Sequence, residues 1–141
     1  MYIQLNKYPS LYYLRLKKKK IKFNYNKLIY GSYGLRAREA GYVTLNQIES
    51  ARKVLTYAMG RKGRYWVRIS TYIPKTSKGI GSRMGKGKGS LSVWVGFITS
   101  GQIFLEVEGP NKAKILAGLR IAQSKFAVQS YPVSYYLLRG L

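Results

Sequence analysis

The sequence predicts an α+β domain, in which two helices pack on one face of a largely antiparallel sheet. Three observations favour this class. Two segments have the apolar spacing of amphipathic helices. Several short segments alternate apolar and polar residues, as half-buried strands do, and two of these segments are close enough in the sequence to form a hairpin. With 141 residues and 46% hydrophobic composition, the chain can build one core. We expect a basic arm over residues 1–30 and a single domain over residues 31–141, with an extended loop at 74–90.

The N-terminal arm is predicted from its charge. Residues 15–22 are Arg-Leu-Lys-Lys-Lys-Lys-Ile-Lys, and such a block of like charges usually stays extended. A solvated tail is the simpler interpretation. Aromatic residues follow at Phe23, Tyr25 and Tyr30, so we favour an arm that binds phosphates and stacks on bases. The arm residues assigned to RNA binding are Arg15, Lys17, Lys18, Lys19, Lys20 and Lys22.

The clearest helix is predicted over residues 44–59, after a short strand between glycine turns over residues 31–43. Thr44 can cap the helix, Gln47 completes a capping box, and Gly60 can take the left-handed position that ends it. The predicted apolar stripe is Leu45, Ile48, Ala51, Leu55 and Ala58.

Basic residues surround this strand and helix. Arg36 and Arg38 are two residues apart and should share one strand face. The others could be solvated charges that complement the helix dipole. Because only Glu49 is nearby to pair with them, we favour phosphate contact. The residues assigned to RNA binding are Arg36, Arg38, Arg52, Lys53, Arg61, Lys62 and Arg64.

The later elements follow from alternation and from breaker residues. Ser100-Gly101 is predicted as the tip of a hairpin, Pro110 as the first turn of the second helix, and Pro132 as the mark of an edge strand. Arg68 lies on the first of these strands and is also assigned to RNA binding. The predicted segments are a strand over 65–73, hairpin strands over 91–98 and 103–107, a helix from 110 to 126, and a strand over 128–135.

The segment from Ile73 to Gly89 is predicted to be a long loop with five glycines and five basic residues. Its glycine spacing fails the Walker pattern, because a Lys followed by Ser or Thr is missing at the required place, and it also fails the dinucleotide fingerprint. A disordered surface loop is possible, but a flexible basic finger inserted into folded RNA fits better, since glycine allows close approach to phosphates. The loop residues assigned to RNA binding are Lys75, Lys78, Arg83, Met84, Gly85, Lys86, Gly87, Lys88 and Gly89.

The overall charge narrows the possible functions. The chain has 26 Lys plus Arg, four acids, no His and no Cys, for a net charge of +22. These absences exclude His- and Cys-based catalysis and thiolate or imidazole metal sites. Of the basic residues, 21 lie in residues 1–91. The natural partner is nucleic acid, and an anionic membrane surface is the alternative. No apolar run is long enough to insert in a membrane.

An enzyme acting on nucleic acid is the other class considered. Glu106 and Glu108 share a strand face and could ligate Mg²⁺, but a solvated strand end is the more common situation. We therefore predict no enzyme activity, no catalytic residue, no metal site and no cofactor.

Several motifs resemble one family, the bacterial and organellar large-subunit ribosomal protein sixteen. The most specific is Arg-Met-Gly-Lys-Gly-Lys-Gly at residues 83–89, followed by Trp94. Other matching blocks, in the same order, are Gly-Leu-Arg-Ala at 34–37, Leu-Asn-Gln-Ile-Glu-Ser-Ala-Arg at 45–52, Lys-Gly-Arg-Tyr-Trp-Val-Arg at 62–68, Glu-Val-Glu-Gly at 106–109 and Ala-Gln-Ser-Lys-Phe at 122–126. The resemblance covers roughly residues 31–128; the arm matches the family only in being basic.

The resemblance implies a structural, non-enzymatic protein that binds large-subunit ribosomal RNA. It implies that residues 83–89 point toward the peptidyl transferase centre, and that the protein helps to position aminoacyl-site tRNA and joins late in assembly. Neighbouring ribosomal proteins are then further partners. Frequent Tyr, Lys and Ile with no Asp suggest an AT-rich organellar genome. We thus expect a mitochondrial ribosome, with another organelle or a bacterial cytoplasm as alternatives.

Overall fold

A computed structural model describes residues 25–85 and 87–135. Within this part of the chain there are seven strands and two helices, and every strand pair is antiparallel. The elements are β1 (Tyr33–Ala37), β2 (Gly41–Thr44), α1 (Leu45–Ala58), β3 (Arg64–Val67), β4 (Ile73–Ser77), β5 (Ser90–Ile98), β6 (Ile103–Glu108), α2 (Lys112–Gln123) and β7 (Ser130–Ser134). The predicted α+β class is confirmed.

The strands form two sheets, whereas the prediction had one. A four-stranded sheet has the order β3-β6-β1-β7, and a three-stranded sheet has the order β2-β5-β4. The predicted strand over residues 31–43 is therefore two strands, β1 and β2, that belong to different sheets. β7 lies at an edge, as its proline predicted.

The predicted hairpin between β5 and β6 is wrong, because these strands pair in different sheets. The turn between them is held by its own polar groups: the side-chain oxygen of Gln102 accepts from the N–H and the hydroxyl of Thr99, both at 3.1 Å. Gly101, at φ 81°, donates its N–H to the carbonyl of Ala37 at 2.8 Å. This turn carries the chain from one sheet to the other.

Helix α1 begins as the sequence predicts. Thr44 and Gln47 form both bonds of the capping box, and Gly60 has φ 60° just after the helix. Leu45, which was placed in the apolar stripe, is 46% exposed, so that assignment is wrong. Helix α2 starts at Lys112 with Asn111 as its cap, two residues later than Pro110 predicted.

The main core lies between the helices and the four-stranded sheet. Its fully buried members include Leu35 of β1, Leu55 of α1 and Leu119 of α2. The opposite face of this sheet is covered by the segment before β1, where Leu28 packs with Ile103 and Val133. The sheet is thus covered on both faces, and the residues that precede β1 belong to its packing.

The strand and loop boundaries in the middle of the chain also differ from the prediction. The strand predicted over 65–73 is only β3, and β4 occupies residues that were predicted as loop. β4 was not predicted because it contains Pro74 and Lys75, and neither residue is typical of a strand. The connection between β4 and β5 is therefore residues 78–89.

Candidate nucleic-acid interface

The loop of residues 78–89 extends into solvent. All of its described residues are exposed except Gly89, which is half-buried; Ile80 and Met84 are 109% and 95% exposed. Gly81, Gly85 and Gly87 have φ values of 77°, 98° and 80°, which residues with a side chain rarely adopt. The loop can therefore bring its backbone close to a partner, with cations beside it.

The base of this loop is more restrained. The ammonium of Lys78 donates to the carbonyl of Gly85 at 2.7 Å, which closes the loop on itself. A Cβ atom at Gly89 would lie 2.3 Å from the carbonyl oxygen of Ser77, so only glycine fits there. Gly89 is thus placed by the close approach of β4 and β5. Lys86 lies outside the described residues.

A second group of cations lies on helix α1 and just after its end. Lys53, Lys62 and Arg64 are exposed, and so is Arg61, which has φ 62°. Arg61 is held in this left-handed conformation by its N–H, which donates to the carbonyl of Thr56 at 3.0 Å. Arg61 is the only non-glycine residue with positive φ in the described part of the chain.

Arg52 lies on the same helix but is already paired. Its Nε donates to Glu49 at 2.9 Å, and both side chains remain partly exposed. The hydrogen bond to Glu49, with a smaller contribution from Tyr65, raises the pKa of the Arg52 guanidinium. An exposed pair of this kind stabilises the fold little, so Arg52 can still exchange Glu49 for a phosphate.

Arg36 and Arg38 are fixed by different contacts. The Nε of Arg36 donates to the carbonyl of Gly101 at 2.9 Å, which ties the arginine to the turn between the sheets. Arg38 lies one residue beyond the end of β1, with its guanidinium 5.6 Å from the ring centre of Tyr131. Lys75 is similar, since its ammonium lies 4.2 Å from the ring centre of Tyr42.

Arg68 is placed differently from the prediction. Its side chain is 8% exposed and pairs with Glu106, which is fully buried. Arg68 also donates to the carbonyl of Lys27 at 2.6 Å. It supports the packing of the chain rather than presenting a charge to solvent, and we leave it out of the interface. Glu106 was expected at a solvated strand end, but it is fully buried, so that expectation is wrong.

Glu106 was missed by the sequence reasoning as a structural residue. One of its oxygens accepts from the backbone N–H groups of Ile29, Tyr30 and Gly31 at 3.0, 2.6 and 2.9 Å. The ring of Tyr30 stacks on Trp66, with 6.0 Å between ring centres. Together these contacts attach the beginning of the described chain to the sheet. The only available signal was an acid with apolar neighbours on both sides in β6.

Two further kinds of site have no counterpart among the described residues. Within these ranges, no group of three His, Cys, Asp or Glu side chains is close enough to hold a metal ion. No helix among the same residues is long and apolar enough to cross a membrane. The predicted arm residues Arg15, Lys17, Lys18, Lys19, Lys20 and Lys22 lie outside the described residues.

Comparison with known proteins decides the family. The family model of ribosomal protein L16p/L10e matches residues 11–133 of the chain. The chain belongs to this family. The match begins inside the N-terminal arm and ends in β7, so it is wider than the span of residues 31–128 that the motifs indicated.

Relatives of this L16p/L10e chain agree with the assignment. It is 37% identical over 113 residues to the large ribosomal subunit protein uL16 of Buchnera aphidicola subsp. Cinara cedri, covering 80% of this chain and 83% of the relative. It is 41% identical to that of Lacticaseibacillus casei, covering 74% and 73%, and 42% identical to that of Paracoccus denitrificans, covering 75% of each chain. Members of the L16p/L10e family are structural constituents of the ribosome and not enzymes, as the sequence predicted.

Proposed function

We propose that this L16p/L10e chain binds large-subunit ribosomal RNA near the aminoacyl-tRNA site and the peptidyl transferase centre. In this position it supports translation and subunit assembly. The observation that carries the proposal is the exposed positive charge on two parts of the chain, the turn after α1 and the loop of residues 78–89. Nucleic acid supplies the density of negative charge that such a surface requires.

The proposed contacts divide by their chemistry. The glycine-rich loop brings backbone and cations together, which suits RNA because RNA is recognised largely through its shape, phosphates and sugar hydroxyls. The cations after α1 follow directly on the helix end, and the hydrogen bond from the N–H of Arg61 to the carbonyl of Thr56 holds the backbone there. The residues in the proposed interface are Arg36, Arg38, Arg52, Lys53, Arg61, Lys62, Arg64, Lys75, Lys78, Arg83, Met84, Gly85, Lys86, Gly87, Lys88 and Gly89, with the basic residues of the arm.

Further partners follow from the same assignment. The loop of residues 78–89 would reach toward the peptidyl transferase centre, and the protein would help to position aminoacyl-site tRNA. Neighbouring ribosomal proteins would cover part of the remaining surface. We place the protein in a mitochondrial ribosome on the basis of its Tyr-rich, Asp-free composition; the relatives described above are bacterial.

Salt dependence of RNA binding tests the phosphate contacts. If 6–10 phosphates are neutralised, affinity should fall by roughly 10³–10⁵ between 50 and 200 mM salt, by analogy with duplex DNA. The measurement is filter binding of the full chain to transcribed large-subunit ribosomal RNA across this range. A binding constant that hardly changes with salt would contradict the proposal.

Paired charge variants locate the interface. Lys62→Gln with Arg64→Gln removes two exposed cations from the proposed surface, and Arg120→Gln with Lys125→Gln removes two from the region of α2. We expect the first pair to weaken binding and to lower the salt slope by about two, since each phosphate contact contributes about one. Equal effects of the two pairs would show that only net charge matters. Co-sedimentation with large subunits, and release in high salt, tests the ribosomal location.

A further inference from the structure

Tyr57 is the most exposed aromatic side chain in the described part of the chain. It lies in the last turn of α1 and is 88% exposed, whereas Tyr30 and Tyr72 are 57% and 54% exposed. Within residues 25–85 and 87–135, the ring has no aromatic, cation–π or hydrogen-bonding partner. Both faces of the ring are therefore open to a planar ligand.

The surroundings of Tyr57 are cationic. Lys53 precedes it by four residues, so the two side chains lie on the same helix face, one turn apart. Arg61 follows the end of the helix. The one acid of α1, Glu49, lies two turns before Tyr57 and is engaged by Arg52. An anionic ligand can therefore reach the ring without meeting a free carboxylate from this helix.

The backbone at Arg61 is a second observation. Gly60 and Arg61 both have left-handed φ values, 60° and 62°, and an L-residue with a long side chain rarely adopts this conformation. A glycine at position 61 would avoid the strain and still end the helix. This turn places the exposed side chain of Arg61 next to the last turn of α1, to which its N–H is bonded at the carbonyl of Thr56.

We infer that Tyr57, Lys53 and Arg61 form a binding subsite for one unpaired RNA nucleotide. The base stacks on the open ring of Tyr57, and the cations bind the phosphates on either side. Aromatic stacking is tolerant of base identity and suits unpaired bases, which loops and bulges of folded RNA supply. This inference rests on the proposed RNA-binding function and adds to it a contact that does not depend on charge.

Two substitutions of Tyr57 test the stacking. The probe is transcribed large-subunit ribosomal RNA, bound to the full chain at several salt concentrations. Tyr57→Ala should weaken binding about tenfold, the order expected for one stacked base, and should leave the salt slope unchanged because no charge is lost. Tyr57→Phe should bind within about twofold of the unsubstituted chain, since it keeps the ring.

The controls separate this subsite from general effects. Lys53→Gln should lower the salt slope by about one, in contrast to Tyr57→Ala. Ile121→Ala removes a half-exposed apolar side chain from the other helix, α2, and should leave RNA binding unchanged. Thermal unfolding should be nearly the same for all of these chains, because alanine favours helix and Tyr57 is not buried.

The possible outcomes distinguish the inference from the proposed function. If the unsubstituted chain fails to bind the RNA, the proposed function fails. If it binds and Tyr57→Ala binds equally well, only the stacking subsite is refuted. If Tyr57→Phe is as weak as Tyr57→Ala, the hydroxyl rather than the ring carries the contact and the stacking inference is wrong. If Tyr57→Ala binds naked RNA normally but enters subunits poorly, the partner is a protein and the inference is wrong.

Discussion

Glu106 of β6 and Arg68 form a buried ion pair on the sheet face opposite the helices. The same carboxylate accepts three backbone N–H groups from residues 29–31, and the same guanidinium donates to the carbonyl of Lys27. The pair therefore connects the strand to the chain that leads from the arm. In a protein with four acids and a net charge of +22, one acid is committed to this internal position.

Removing the charge of Glu106 should destabilise the domain strongly. Glu106→Gln keeps the shape of the side chain but leaves Arg68 buried without its carboxylate, and breaking a buried pair in this way typically costs about 3–5 kcal/mol. Urea unfolding followed by circular dichroism measures the loss. Glu108→Gln, two residues away and exposed, should change stability by less than about 0.5 kcal/mol. Similar midpoints for the two variants would contradict the structural role of Glu106.

A double variant separates the charge from the shape. Adding Arg68→Gln to Glu106→Gln removes the unpaired cation, so part of the lost stability should return. Limited trypsin digestion gives an independent measurement: cleavage after Lys27 should be faster in Glu106→Gln, because residues 29–31 lose part of their attachment. If Arg68→Gln lowers the free energy of unfolding as much in the Glu106→Gln chain as it does alone, the two residues are not coupled.

The capping box at Thr44 should contribute measurably to stability. Thr44 and Gln47 each accept from the backbone N–H of the other, at 3.3 and 3.1 Å. Thr44→Ala removes one of these bonds and should cost about 1 kcal/mol. Ser50→Ala is the control: its hydroxyl bonds to the carbonyl of Asn46 within the helix, and replacing it with alanine should be neutral or slightly stabilising. Equal losses in the two variants would show that the cap adds nothing of its own.

Features that depend on residues a few positions apart could be predicted from the sequence, and features that depend on distant contacts could not. The start of α1 and the left-handed Gly60 were predicted because caps and helical spacing involve residues a few positions apart. Strand partners were not, because β1 pairs with β6 and β7, far along the chain, and alternation does not tell which strand lies beside which. The hairpin between β5 and β6 was wrong for this reason.

The same limit applies to the candidate site. Strand alternation puts Trp66 and Arg68 on one side of the chain, but the sequence does not show that residues 28–31 cover that side. Arg68 was therefore indistinguishable from the exposed cations such as Arg64. β4 was not predicted because its strand conformation depends on pairing with β5 and not on its own composition.

The loop of residues 78–89 should be dispensable for folding and needed for function. Ser77 and Ser90 are paired across β4 and β5, so a two-residue Asn-Gly turn can join them in place of residues 78–89. Because the loop is exposed and buries little, thermal unfolding should change by only a few degrees. Incorporation into large subunits, or translation by them, should be impaired. Loss of the folded circular dichroism signal would contradict the first expectation, and fully active subunits would contradict the second.

Arg61 provides a test in which stability and binding change in opposite directions. Arg61→Gly removes a side chain from a left-handed residue, which relieves about 1 kcal/mol of strain. It also makes the unfolded chain more flexible, so the net stability should rise slightly or stay the same. RNA binding should weaken, with a salt slope lower by about one. Arg120→Gly, within α2, is the contrasting variant and should lose about 1 kcal/mol with little effect on binding. If Arg61→Gly lowers stability as much as Arg120→Gly does, the strain at position 61 is not real; if it binds RNA normally, the guanidinium has no role there.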